Sequence, residues 1–175
     1  GFLSELCRRW ESVAGPAARA GLRTVQSRTG LVVSSSGGLG RILGAAYRVG
    51  AGARLGRGDQ WQPWIGLEDA AAGLLWAIEH DDVHGPVNLT APEPLRNRDL
   101  HRLLSRAGGP PSVAVVPQLL LDRAGRAGVA GGAGSVGGML AELLGASQRA
   151  VPQALLASGF RFTAPDAASI WALGT

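Results

Sequence analysis

The sequence predicts an α/β fold with few, short strands. Three observations carry this. Apolar residues recur at helical spacing over 2–14 and 67–80. Short runs rich in β-branched residues, Leu31-Val32-Val33 and Val113 to Val116, stand between them. The resulting order is helix, strand, helix, helix, strand, helix, strand, helices.

The first helix carries Phe2, Leu3, Leu6, Cys7, Trp10, Val13 and Ala14 on one face, and Gly15-Pro16 stops it. On that face Cys7 reads as a buried thiol. Leu22 to Ser34 contains the β-rich core of a strand, ended by Ser34-Ser-Ser-Gly-Gly38. Leu39 to Val49 is a short helix. A Gly/Arg loop over 50–60 leads into two tryptophans, Trp61 and Trp64. Leu67 to His80 is the clearest helix: Leu67, Ala70, Ala71, Leu74, Leu75 and Ile78 form a stripe that should face the core. Glu68 and Asp69 sit in its first turn, where the helix dipole favours acids. Pro86 to Thr90 is a strand, and Asn97 is placed to cap a helix over 98–107. Val113 to Val116 is a strand stopped by Pro117. Residues 124–138 are almost all Gly and Ala and read as a flexible insertion. Met139 to Leu144 is helical, Pro152 opens the next helix, Gly159 ends it, and Asp166 starts a terminal one. An independent doubly wound sheet needs more strand than this, and an incomplete one leaves an edge unpaired.

At 175 residues the chain is one domain or part of one, and it begins at Gly1 rather than Met, as a processed chain or a piece of a longer product would. All 17 basic residues are arginine. The missing lysine removes Schiff-base chemistry, a P-loop lysine and any Tyr-x-x-x-Lys proton relay. The single tyrosine, Tyr47, has Ala51 four residues on, and arginine holds its proton too tightly to substitute. The net charge of +4 comes from scattered arginines, not runs, which argues against nucleic acid as the partner. One cysteine allows neither an internal disulfide nor a thiolate cluster. No apolar run approaches the ~18 residues of a membrane helix, so a soluble, cytoplasmic protein is expected, with no membrane partner.

Chemical motifs are weak. Gly132-Ala-Gly-Ser-Val-Gly137 matches G-x-G-x-x-G, but no credible strand precedes it and no acid follows at the ribose-binding offset. His80-Asp-Asp-Val-His84 sits at a helix end, where histidine is favoured electrostatically, and nothing completes a metal sphere. Arg149 has Glu142, Asp122 and Asp166 as possible carboxylate partners, with a structural ion pair or helix-end contact as the better reading.

Several segments together resemble one family. Arg28-Thr-Gly-Leu-Val-Val33, Gln60-Trp-Gln-Pro-Trp-Ile-Gly-Leu-Glu-Asp69, Gly85-Pro-Val-Asn-Leu-Thr-Ala-Pro92 and Ala146-Ser-Gln-Arg-Ala-Val-Pro152 with Ser158-Gly-Phe-Arg-Phe162 follow, in order, the pattern of epimerase-family proteins of the atypical extended short-chain dehydrogenase/reductase type. The resemblance covers nearly the whole chain. It implies an incomplete Rossmann-like, NAD(P)-binding sheet remnant over 1–92 with the substrate loop. A small, mostly helical C-terminal substrate domain of the DUF1731 type follows over 93–175. In the family the phosphate turn and the Tyr-x-x-x-Lys precede the opening helix, so this chain starts after both and is expected to be inactive alone. Hydride transfer with NADP or NAD on a small-molecule substrate is implied for the whole architecture. By the same resemblance, Gly30, Leu31 and Val32 would lie beside the nicotinamide. Trp61 and Trp64 would line a substrate pocket, Arg28 and Arg57 would hold an anionic group, and Asn88 would fix the loop above. Trp64 as plain core packing stands beside that reading. The rivals are a non-catalytic module that self-associates or pairs with a separate Rossmann half, and a gene-model fragment.

Overall fold

The computed structural model describes residues 2–107, 110–120, 123 and 144–173. The Gly/Ala-rich segment 124–138, its Gly132–Gly137 motif, Asp122, Glu142 and most of the 139–144 helix lie outside the described residues. In chain order the elements are α1 (Phe2–Val13), α2 (Gly15–Arg19), β1 (Val25–Thr29), β2 (Leu31–Val33), α3 (Gly38–Arg48), β3 (Ala53–Leu55), β4 (Trp61–Gln62), β5 (Trp64–Gly66), α4 (Leu67–Glu79), β6 (Gly85–Leu89), β7 (Leu95–Arg96), α5 (Asn97–Arg106), β8 (Ala114–Val116), α6 (Gln153–Ala157) and α7 (Ala167–Leu173).

The α/β class is as expected, and the strands pair in twos. β1 runs parallel to β6, β2 parallel to β5 and β3 parallel to β8, while β4 is antiparallel to β7. The expected single strand over 22–34 divides at Gly30. Before it the chain pairs with β6 through Thr29↔Leu89; after it the chain pairs with β5 from Leu31↔Trp64. A side chain cannot fit at this change of partner: a Cβ on Gly30 would lie 2.5 Å from the Pro63 carbonyl oxygen and 3.1 Å from Thr90 Cγ2. The switch is held by Gly30 N–H donating to the Leu89 carbonyl at 2.9 Å and Leu31 N–H to the Pro63 carbonyl at 2.6 Å.

Two apolar clusters form the core. One joins Val33, Tyr47, Trp64 and Ala91 to Leu100, Leu104, Ile170 and Trp171. The other joins Ile65, Ala70, Ala77, Val87 and Leu89 to Leu155 and Phe160. Both therefore draw on residues from either side of position 92.

Three expectations are corrected. On α4 the buried face is Asp69, Ala70, Gly73 and Ala77. Leu74, Leu75 and Ile78 point outward, with Ile78 69% exposed. Small residues win the inner face because the helix sits close on β6: a Cβ on Gly73 would lie only 3.0 Å from Leu89 Cδ2. Cys7 is exposed, because α1 rests on the rest of the chain mainly through polar links from Glu11. Asn97 does not cap α5: Arg96 holds that position, and the buried Asn97 side chain instead accepts from Leu55 N–H at 2.9 Å and donates to Gln62 Oε1 at 3.4 Å. Asp166 does cap α7, accepting from Ser169 N–H at 2.8 Å.

Asp69 ties the two ends of the fold together. Buried to 2% exposure in the first turn of α4, its carboxylate accepts from Thr163 N–H at 2.8 Å and Ala164 N–H at 2.9 Å. It thus meets the segment leading into α7, 94 positions later in the chain.

Candidate functional site

The two tryptophans leave the β4–β5 segment on different sides. Trp64 points inward, 3% exposed, its ring edge-on to Trp171 at 5.7 Å. It borders a cavity of about 50 Å³ lined also by Leu43, Tyr47, Gln62, Asn97 and Leu144. That volume has room for a few waters or a small group. Trp64 Nε1 is buried without a hydrogen-bond partner among the described residues, and so is the Thr90 hydroxyl beside Gly30. A buried donor of this kind costs about 1–3 kcal/mol until an acceptor reaches it.

Trp61 points the other way. It lies in register with Arg96 across the β4–β7 pair, and the Arg96 guanidinium stands 4.5 Å from its ring centroid. Arg149 stands 5.5 Å from the same centroid. Trp61 N–H donates to Ser147 Oγ at 3.2 Å, and Gln148 N–H donates to the Trp61 carbonyl at 3.0 Å, so the 147–149 segment is strapped to β4. Asp59, at the head of β4, receives Arg98 at 2.6 Å, Arg57 at 3.1 Å and Arg96 at 3.8 Å. One carboxylate serves three guanidiniums.

Arg28 is engaged elsewhere. It makes a two-pronged ion pair with Glu11, at 2.6 and 2.7 Å, fastening α1 to β1. That pairing holds the Glu11 carboxyl below its ordinary value and raises Arg28. Arg57 is 92% exposed by its side chain and reaches only Asp59. Asn88 Nδ2 donates to the Val151 carbonyl at 3.1 Å, joining β6 to the strap that carries Arg149. Of the residues read as cofactor-binding, Gly30 is the strand switch, Leu31 packs on the first cluster and Val32 on the second. The structure sets Gly30 and Leu31 against the Pro63–Trp64 stretch that opens β5 and puts Arg28 in register with Asn88, while Arg57 is linked to the Trp61 side through Asp59, which it shares with Arg96.

Sequence reasoning missed three features. Tyr47 Oη lies 2.9 Å from His101 Nδ1 beside the cavity. Burial pushes the Tyr47 hydroxyl up to about 12, and burial, then the nearby Arg54 charge, lowers His101 from 6.5. Arg96 and Arg98 at Asp59 are the second feature, and the Asp69 clamp the third. Only the last has a signal in the sequence, an acid in a first helical turn, which by itself indicates no more than a favourable helix-dipole contact. His80, from the motif read above, stacks on Trp76 at 3.5 Å between centroids.

The domain of unknown function DUF1731 matches residues 135–170. An epimerase family protein of Mycobacterium bovis is 39% identical over 162 residues, 93% of this chain and 50% of that protein. An epimerase family protein of Bacillus subtilis is 33% identical over 94% of this chain and 50% of its own length. The chain is a relative of the epimerase family proteins. It spans about half the length of the curated relatives it matches. Among solved structures, the human epimerase family protein SDR39U1 with NADPH superposes with a TM-score of 0.70 at 25% identity, covering 86% of this chain and 47% of that one. A nucleoside-diphosphate sugar epimerase from Corynebacterium glutamicum gives 0.72 at 29%, covering 99% and 31%. The fold is therefore the α/β fold of those epimerases, in part. Among the described residues no helix is long and apolar enough to cross a membrane.

Proposed function

We propose that this chain is the substrate-side portion of an NAD(P)-dependent, epimerase- or reductase-like cytoplasmic protein acting on a small molecule, and that the 175-residue chain alone does not turn over. The observation that supports this most is the extent of the match: nearly all of this chain aligns with only half of each relative. Residues 1–92 would complete a nucleotide-binding sheet, and 93–175 would form the substrate-side cover, clamped to it by Asp69.

A cofactor fits this chain as a wall more than as a set of donors. The amides of Gly30 and Leu31 are spent on Leu89 and Pro63, so these two with Val32 would supply apolar contact to the nicotinamide end. Beside Gly30 the buried Thr90 hydroxyl has no hydrogen-bond partner among the described residues. The cofactor, NADP or NAD, would supply hydride chemistry; the chain's own part is orientation and exclusion of water. Asn88 steadies the strap over the site, Trp61 and Arg57 form its polar outer side, and Trp64 packs the floor. Arg28, held by Glu11, anchors α1.

A second reading, a module that pairs with a separate Rossmann half or with itself, draws on two observations. Among the described residues β1 is paired on one side only, with β6. The outer face of α4 exposes Leu74, Leu75 and Ile78. Sedimentation equilibrium separates the readings: a clean monomer at tens of micromolar removes self-association. NADPH-dependent turnover by the purified chain would overturn the first.

A further inference from the structure

Helix α4 turns small residues to the core and large ones outward. Ala70, Gly73 and Ala77 are buried, whereas Leu67, Leu74, Leu75 and Ile78 are 43%, 45%, 54% and 69% exposed. Ala71 is exposed among them. None of the outward residues joins either apolar cluster. A contiguous apolar stripe that the fold does not use marks a contact surface.

The spacing of the stripe points to its occupant. Leu67, Ala71, Leu74 and Ile78 follow one another at 4, 3 and 4 residues, the seam of a helix pair. On an ideal helix the four lie within about 60° of one another. The seam also matches its own reverse. With a second α4 laid antiparallel, Leu67 meets Ile78 of the second copy in the same register in which Ala71 meets Leu74 of the second copy. A two-fold axis repeats both contacts. The small Ala71 opposite Leu74 lets the helices approach at the centre, and each helix N-terminus lies beside the C-terminus of the other, where the dipoles attract.

One rim opposes the pairing. Glu68 and Glu79 stand on the same flank of α4, about 100° and 120° round from Leu67 on an ideal helix. A two-fold axis brings like flanks together, so Glu68 of one copy comes near Glu79 of the other. A charge reversal at either position should therefore tighten association of the chain with itself.

We infer that the outer face of α4 is a self-association surface, on which a second copy packs its own α4 antiparallel, Leu67 against Ile78 and Ala71 against Leu74. This rests on the second reading above, to which it adds the surface and the register, and it is independent of any cofactor.

The test is sedimentation equilibrium of the 175-residue chain over roughly 5–500 µM, where a short seam of this kind should give a monomer–dimer equilibrium. Ala71→Arg and Ile78→Glu should each weaken the dimer about tenfold or more. Glu79→Arg should tighten it about threefold, the rim contact occurring twice. Ala71 and Ile78 are exposed, so both variants should fold, as circular dichroism checks; should one not fold, the other decides. A monomer at every concentration would overturn the inference and the self-pairing reading together. A dimer that both seam variants leave within twofold would overturn the inference alone and move self-pairing to another surface, such as the open edge of β1. Weakening by Glu79→Arg would overturn the antiparallel arrangement.

Discussion

Replacing Asp69 by alanine should loosen the C-terminal part of the fold from α4. The carboxylate is 2% exposed and is the acceptor for two backbone N–H groups, of Thr163 and Ala164, at 2.8 and 2.9 Å. Alanine leaves both donors without this acceptor, the Ala164 N–H in a buried position and the Thr163 N–H in a part-buried one. A buried orphaned donor costs about 1–3 kcal/mol and a part-buried one less, so the loss is about 2–4 kcal/mol. That is a large part of the 5–15 kcal/mol that holds a typical domain together. At roughly 2–4 °C per kcal/mol for a chain of this size, the melting point should fall by ~6–12 °C for a mid-range loss. Asp69→Asn keeps one acceptor oxygen and should cost about half as much. Urea unfolding followed by tryptophan fluorescence reads the difference directly, because Trp171 on α7 packs against Trp64. A loss below about 0.5 kcal/mol for Asp69→Ala, within the range of an ordinary surface change, would refute the clamp.

Further outcomes follow from the same geometry. Trp64→Ala should destabilise by about 3–5 kcal/mol, as for a large buried aromatic, whereas Trp61→Ala should cost under ~1 kcal/mol, since its ring meets cations at the surface; equilibrium unfolding of both distinguishes floor from outer wall. Gly30→Ala should cost about 1–3 kcal/mol by driving a methyl into the Pro63 carbonyl, whether or not any cofactor is present. His101 has a folded pKa below its ordinary 6.5, so its neutral form is the one the fold accepts: stability should be intact above pH 6.5 and fall as pH drops through the folded value. His101→Gln should flatten that slope in melts between pH 7.5 and 5. Glu11 is likewise depressed below 4.5, chiefly by its bond to Arg28, so the hold on α1 should persist above pH 4.5 and fail as pH falls through the folded value; Arg28→Gln should abolish this acid step in hydrogen exchange of α1.

Helix α4, the strand near 31–33 and the Asp166 cap were legible because each rests on local chemistry: periodicity, β-branched residues and a side chain near its own helix end. The direction α4 faces was not. Its apolar stripe points outward because glycine and alanine, not leucine, allow the helix to approach β6, and that distance depends on residues far away in sequence. The division at Gly30 was hidden for the same reason. A glycine in a strand signals close approach, but the approaching group, Pro63, lies 33 positions later. At the candidate site, the tryptophan loop stands out by residue type, whereas the roles of Trp61 and Arg57 are implied by the family resemblance alone. Arg28 was assigned to an anion because the sequence cannot show that Glu11 reaches it. The approach of Arg96 and Arg149 to one indole was not legible because it depends on the β4–β7 pairing and the 147–149 strap.

The central claim is that this chain supplies one side of a nucleotide-dependent site and lacks the rest. Its most direct test is NADPH binding, followed by fluorescence, for the chain alone and for the chain co-expressed with the other half of the Mycobacterium bovis relative. The account predicts no saturable binding by the chain alone and saturable binding by the pair. Tight, saturable binding of NADPH by the 175-residue chain on its own would contradict it.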